Sequence, residues 1–407
     1  MDWVLLLLAL TDRPPILQPD AASLSTRHAV SREQVDTVAR QPDLGISHSD
    51  AAPPTLPTAA APNQPAAAAV QQGMPGMDRD ESSGMPTMQF RGFSDVSYHV
   101  DDRAGTANSF SLGQFNLFIT SKLSDKLSVL AETVVEADQQ NSMGIDLERL
   151  LFRWISSDFL TVSVGRYHTS IGWYNTAYHH SAWMQTAIGR PFLCAFEDNG
   201  GILPIHNVGI SATGRIPAGD LGLRYIVEFG NGRASRSPLS EAVQNVVDEN
   251  SGKAINLAIL SRPAQLPGLE AGFSFYYDKL TPSERPKVGE TILAGHVVYQ
   301  SSQFEWLNEL VVIRHAPEGG GSVLRSTGFY TQVSAKLGAW RPYVRYQSVS
   351  VPDADPMFPD VGLQRGPSLG IRYDVTEWVA LKCQYDRTER RRQSGYNGVA
   401  LQLSFTF

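Results

Sequence analysis

The 407-residue chain contains no run of about 18 apolar residues, which excludes a transmembrane helix. It also lacks a basic run. Lys and Arg number 34 against 41 Asp and Glu, and a net charge of −7 leaves no electrostatic footprint for nucleic acid. Two cysteines, Cys194 and Cys383, are too few for a disulfide framework or a thiolate metal site, and they read as two unpaired small residues. There is no nucleophile elbow, P-loop, Rossmann fingerprint or H-E-x-x-H, and Ser, His and acidic residues are scattered. Catalysis and a bound cofactor are therefore not expected. No convincing helical period occurs either. None of these absences counts against a transmembrane β-barrel, whose strands of about 9–11 residues are half polar.

The N-terminal part of the chain is poor in structure-forming signals. Residues 1–10 hold the apolar stretch Trp3 to Leu10, which reads as a signal-peptide remnant without a preceding Lys or Arg and without a following A-x-A site. Residues 11–87 are rich in Ala, Pro, Gln, Ser and Asp and have no aromatic side chain. Such a segment cannot bury a core and is expected to be a disordered extension. The texture changes at residue 88, and 88–407 reads as one all-β domain.

Within it, about sixteen alternating runs recur, from 89–100 to 396–407. The last is the cleanest. Val399, Leu401, Leu403, Phe405 and Phe407 alternate with Ala400, Gln402, Ser404 and Thr406, so one set falls on each face of a strand. Phe273, Phe275 and Tyr277 alternate in the same way, as do Leu223, Tyr225, Val227 and Phe229. The run 303–315 is less regular, because Val311 and Ile313 fall in its polar set. Every second connection is short, such as Ser157-Asp158 and Ser301-Ser302. The others are longer, including 168–204, 231–253, 350–365 and 389–395. Tight turns at one end and long loops at the other are the pattern of a transmembrane antiparallel β-barrel. An even strand number returns both ends of the domain to one side. Aromatics such as Trp154, Trp306, Trp340, Tyr346, Tyr385 and Phe407 stand near the ends of apolar faces, as girdles would. A soluble secreted β-sandwich or carbohydrate-binding module, using exposed aromatics, is the alternative from another class.

A closed barrel of this size holds water, so charges on its polar faces would line a channel. The candidates are Arg149, Arg153, Arg224, Arg341, Arg345, Arg372 and Lys382, with Glu132 and Glu136 of opposite sign. Arg149 with Arg153, and Arg341 with Arg345, share strand faces and could guide anions, or could pair with nearby carboxylates. The loop 168–204 is too long for a plain connector. Its Trp173, Tyr174, Tyr178, His179, His180, Trp183 and Arg190 are the candidate constriction. His179-His180 has no third donor at metal-ligand spacing, so no metal is assigned.

The domain resembles Gram-negative outer-membrane porins, with texture nearest to the phosphate-selective porin O/P-like group. The resemblance rests on Phe152-Arg153-Trp154, on Val162 to His168 leading into an aromatic loop, and on terminal Leu403 to Phe407. It implies a trimer of sixteen-stranded barrels in the bacterial outer membrane, in contact with its lipid and passing small hydrophilic solutes or ions. It also implies that Phe407 belongs to the signal read by the barrel-insertion machinery. The function expected is passive diffusion through a water-filled channel, with an anion- or phosphate-selective channel as the alternative.

Overall fold

The structure is a computed structural model. It describes residues 86–407 apart from 104, 138–141, 179–181, 197–199, 236–245, 283–284 and 392. The expected leader 1–10 and nearly all of 11–87 lie outside the described residues, as do His179 and His180.

Sixteen strands run in chain order. They are β1 (Thr87–Asp101), β2 (Ser109–Lys122), β3 (Leu127–Ala137), β4 (Met143–Ser157), β5 (Leu160–His168), β6 (His206–Arg215), β7 (Leu223–Gly230) and β8 (Ala254–Ser261). Then come β9 (Leu269–Leu280), β10 (Val288–Gln300), β11 (Phe304–Pro317), β12 (Leu324–Ala335), β13 (Trp340–Ser350), β14 (Leu363–Asp374), β15 (Val379–Arg390) and β16 (Gln393–Thr406). Each pairs antiparallel with its chain neighbours, and β1 pairs with β16, so the sheet closes without an edge. Closure excludes the two-sheet sandwich.

The short turns fall where the sequence placed them, with two adjustments. β7 begins at Leu223 rather than residue 220, because Gly219–Leu221 forms a single 3-10 turn that ends on Gly222 at φ 57°. The connection expected over 389–395 is instead a tight turn between Arg390 and Gln393. The polar run Thr388 to Ser394 masked the strand there. Backbone pairing continues through charged residues where a strand projects beyond the apolar belt, so polarity alone does not end a strand.

The two faces of the sheet differ sharply. In β16, Val399, Leu401 and Leu403 are exposed while Ala400, Gln402 and Ser404 are buried. The same alternation exposes Leu381 and Cys383 on β15, Phe273 and Phe275 on β9, and Trp306 and Leu310 on β11. An apolar belt that runs round the barrel is far larger than a soluble monomer tolerates, so its solvent is lipid. At the end of that belt the Phe407 ring lies over Gly92, where any Cβ would fall 2.1 Å from the ring. Gly92 and Phe407 exchange both backbone hydrogen bonds, at 2.8 and 3.0 Å. Glycine at 92 is what lets the terminal ring seat across the closing seam.

The apolar core is not where a solid protein would have one. It joins Ile171, Trp173, Tyr174, Tyr178, Leu193, Cys194 and Ile202 of the longest connection to inner-face side chains of β10 to β13. Among the latter are Ile292, Val298, Leu307, Val311, Ile313 and Tyr330. Val311 and Ile313, which break the polar alternation of their strand, are fully buried in this cluster, which also takes in Met357, Phe358 and Val361 of the connection after β13. The irregularity in the sequence is thus the imprint of a docked segment.

Candidate functional site: the loop inside the barrel

Residues 169–205 leave the wall after β5 and return to it at β6. In between, the chain hydrogen-bonds to side chains on the face opposite the apolar belt, which is the lumen. The first attachment is a carboxylate. Glu309 of β11 accepts from the backbone N–H groups of Trp173 (2.7 Å) and Tyr174 (2.9 Å) and from the Tyr330 hydroxyl (2.6 Å). It thereby satisfies the first donors of the helical turn Tyr174–Ala177, which Trp173 leaves uncapped by any side chain. Gly172 sits at φ 74°, and a Cβ there would meet Glu309 Oε2 at 2.1 Å. Only glycine lets the main chain approach this closely. Four residues earlier on the same strand face, Glu305 accepts from the Tyr178 hydroxyl (3.1 Å) and from Gln332 Nε2 (3.0 Å).

The far side of the loop is held by cations and amides. Arg345 of β13 donates to the carbonyls of Gly189 (3.0 Å) and Ile188 (3.3 Å). Arg372 of β14 donates to the carbonyls of Trp183 and of Gln185 (3.1 Å), and pairs with Asp374 at 2.7 Å. Lys382 of β15 donates to the carbonyls of Ala182 and Ala187 and to Gln402 Oε1 (3.0 Å). Gln384 exchanges two hydrogen bonds with the backbone of Ile188, at 2.9 and 3.0 Å. Within the loop, Arg190 donates to the Cys194 carbonyl and lies over the rings of Tyr174 and Phe196. Burial pushes the Cys194 thiol well above its ordinary range, so it stays protonated and packs as an apolar group.

These bonds sort the charges singled out in the sequence. Arg345, Arg372 and Lys382 are fastened to loop carbonyls rather than turned to open water. Arg149 of β4 pairs with Glu132 of β3, which is fully buried. Glu136 accepts from Gln114. Arg153, Arg224 and Arg341 are half-buried on their strands. Trp173, Tyr174 and Tyr178 are buried in the loop's core, with Trp173 and Tyr174 both edge-on to Tyr178, at 5.0 and 5.4 Å. Trp183 lies against Phe93 of β1 at 6.1 Å. The loop therefore touches the inner wall at β1 and from β7 to β15.

A cavity of about 410 Å³ remains between the loop and the wall of β7 to β10. Ser170, Thr176 and Ala177 form its loop side, and Arg262, Glu270 and Gln300 its wall side. Arg262 donates to Glu270 at 2.6 Å, which sets one ion pair at the edge of the space. Glu228, Glu305 and Glu309 are legible in the sequence as acidic residues of polar strand faces. Their bonds to the loop are not, because those partners lie more than 50 residues away.

A closed sixteen-stranded antiparallel barrel with an apolar exterior, a polar interior and one long loop folded inside it is a transmembrane β-barrel of the outer-membrane porin architecture. Solved structures with this fold include an anion-selective porin from Comamonas acidovorans, at TM-score 0.58 and 13% identity, covering 79% of this chain and 100% of that one. The outer-membrane channel DcaP of Acinetobacter baumannii aligns at TM-score 0.57 and 12% identity, covering 80% and 99%. Salmonella typhi OmpF in complex with daunomycin aligns at 0.55 and 10% identity, covering 80% and 98%. At these identities the likeness is one of fold. No family model and no curated sequence matches the chain.

Proposed function

We propose that the protein is an outer-membrane porin that passes small hydrophilic solutes by diffusion and performs no catalysis. The observation that carries this reading is the docked loop. A barrel too wide to be filled by its own inner side chains is narrowed by 169–205, held there by Glu309, Arg345, Arg372 and Lys382. In this reading Trp173, Tyr174, Tyr178, Trp183 and Arg190 build the constriction, and His179 and His180 lie on the same loop. The exposed belt and terminal Phe407 support insertion into outer-membrane lipid by the barrel-insertion machinery. A homotrimer fits the architecture, one solved relative in fold being described in trimer form.

Selectivity is weak in this reading, because four of the seven candidate pore cations are engaged with a carboxylate or with loop carbonyls. A second reading, an anion-selective channel of the phosphate-selective kind, draws on Arg153, Arg224 and Arg341, which are half-buried, and on the selectivity named for the Comamonas porin. Planar-bilayer recording of the detergent-purified protein tests both. Stable ohmic steps with a reversal potential near zero in a salt gradient support the diffusion pore. A strongly anionic reversal potential favours the second reading, and absence of channels rejects both.

A further inference from the structure

The docked loop leaves and rejoins the wall through one cross-strand pair, His168 against His206. The ladder fixes this pairing, with Tyr167 opposite Asn207 before it and Thr169 N–H donating to the Ile205 carbonyl (2.9 Å) beyond it. The two imidazole rings lie 5.3 Å apart, crossed at 63°. A carboxylate reaches the same spot from β4. That strand changes register between the pairs Glu132–Arg149 and Thr133–Leu147, so Glu148 is the extra residue of a bulge, a device that re-aims a side chain. Glu148 Oε2 lies 2.5 Å from His206 Nε2. One donor atom from each of Glu148, His168 and His206 falls within 4.8 Å of the others. Glu148 and His168 are buried and His206 half-buried, with relative side-chain exposures of 6%, 3% and 15%. Glu132 Oε2 is 3.8 Å from His168 Nε2 and holds the Arg149 guanidinium, and Arg166 Nε donates to the Glu148 carbonyl at 3.1 Å.

We propose that Glu148, His168 and His206 bind a divalent transition-metal ion of the Zn²⁺ class that clasps the two stems of loop 169–205. Two imidazole nitrogens and one carboxylate oxygen form a Zn²⁺ donor set, and Mg²⁺ and Ca²⁺ prefer all-oxygen sites. Bonds of about 2.0–2.2 Å place tetrahedral donors roughly 3.3 Å apart, a spacing inside the range of this triangle. Side-chain rotation then closes the site without moving the ladder. The fourth position is left to water, with Glu132 and Arg149 behind His168. An ion bound here joins β4, the last residue of β5 and the first of β6, and so ties the loop's exit to its entry.

The test uses the full chain, folded in detergent, stripped with a chelator and dialysed against Zn²⁺. About one zinc ion per chain is expected by elemental mass spectrometry. His168→Ala and His206→Ala should abolish binding, Glu148→Gln should weaken it about tenfold or more, and His99→Ala should leave it unchanged. Less than about a tenth of an ion per folded wild-type chain, or full retention by both histidine variants, overturns the site. Should the variants misfold, Zn²⁺ protection of wild-type His168 and His206 from diethyl pyrocarbonate decides, and unprotected histidines overturn it. An effect of Zn²⁺ on channel conductance rests on the constriction reading. Bound zinc with unaltered conductance would count against that reading and leave the site standing.

Discussion

The two halves of the barrel wall are built on the same backbone and differ in what they face. From β10 to β13 the inner side chains include Ile292, Val298, Leu307, Val311 and Ile313, all buried in one cluster with the loop and with Met357 and Phe358. From β1 to β4 the inner face carries Asp95, Ser97, Asn116, Glu132 and Arg149. One half is the floor of a small hydrophobic core. The other is a mainly polar lining, itself buried, with Phe93, Val134 and Leu151 among its polar groups. A barrel of this width thus does two things with one sheet: it seals a segment inside itself on one side and packs a polar, hydrogen-bonded lining on the other.

Removing the segment breaks the comparison outright. Deleting Tyr174 to Arg190 should raise single-channel conductance severalfold and loosen size exclusion, measured in planar bilayers on barrels whose folding is confirmed by heat-modifiable gel migration. It should also lower thermal stability, because the buried cluster loses Tyr174 and Tyr178. Unchanged conductance in the folded deletion would place the loop outside the solute path.

A change on the outer face tests the lipid belt that both halves share. Leu403→Arg should reduce assembly by about 2–4 kcal/mol if the site lies near mid-bilayer. Thr120→Arg, on the inner face of the polar half, should assemble as wild type. Equal yields for the two would sink the assignment of faces. Gln402 is a poorer inner-face control than its polarity implies, since it is bonded to both Lys382 and Asp95.

Smaller changes probe the anchors. Glu309→Gln keeps the shape but removes the charge that three donors share, and should cost about 1–3 kcal/mol of loop docking. Hydrogen exchange should then accelerate in 171–178 with little change in β1 to β4, and uniform acceleration would argue against a local anchor. At the outer end of the apolar half, Asp355 accepts from His315 Nδ1 and from the backbone N–H groups of Met357 (2.9 Å) and Phe358 (3.0 Å). Burial raises its pKa, but these bonds and the charge of His315 outweigh burial and hold it below the ordinary 3.8. The stabilisation is therefore complete above that value and is lost as pH falls through the lowered one. Proteolysis within 351–362 should accelerate only below about pH 4, and cleavage rising already at pH 6 would refute it.

The smallest effect is expected on the polar half. Arg149→Gln with Arg153→Gln should move the reversal potential slightly toward cations, more at 0.1 M salt than at 1 M, where the Debye length shrinks from about 10 to 3 Å. Pairing of Arg149 with Glu132 keeps the shift small. A large shift would revive the anion-selective reading.

Much of this was legible in the chain. Period-two alternation fixed the strands and their faces, because lipid outside and water inside leave little freedom. The loop declared itself by its length and its Trp and Tyr content, whereas Val311 and Ile313 showed only as a break in alternation, whose cause needs the fold. Which cations remain open to solvent was not legible. Arg345, Arg372 and Lys382 meet carbonyls more than 150 residues distant in sequence, and no local pattern encodes such a partner. The His168–His206 pairing was hidden for a similar reason. It follows from ladder register across a long insertion, and Glu148 reaches it only through a bulge that periodicity does not reveal.

Arg345, Arg372 and Lys382 all grip the loop by its main-chain carbonyls. Such anchors are indifferent to which side chains the loop bears between them. Substitution at the half-buried Ala182 or Met184 can accordingly alter the loop surface while the fastening persists. Permeability and architecture are in this sense separately heritable, and a lineage of such barrels could change its diet without relearning how to fold.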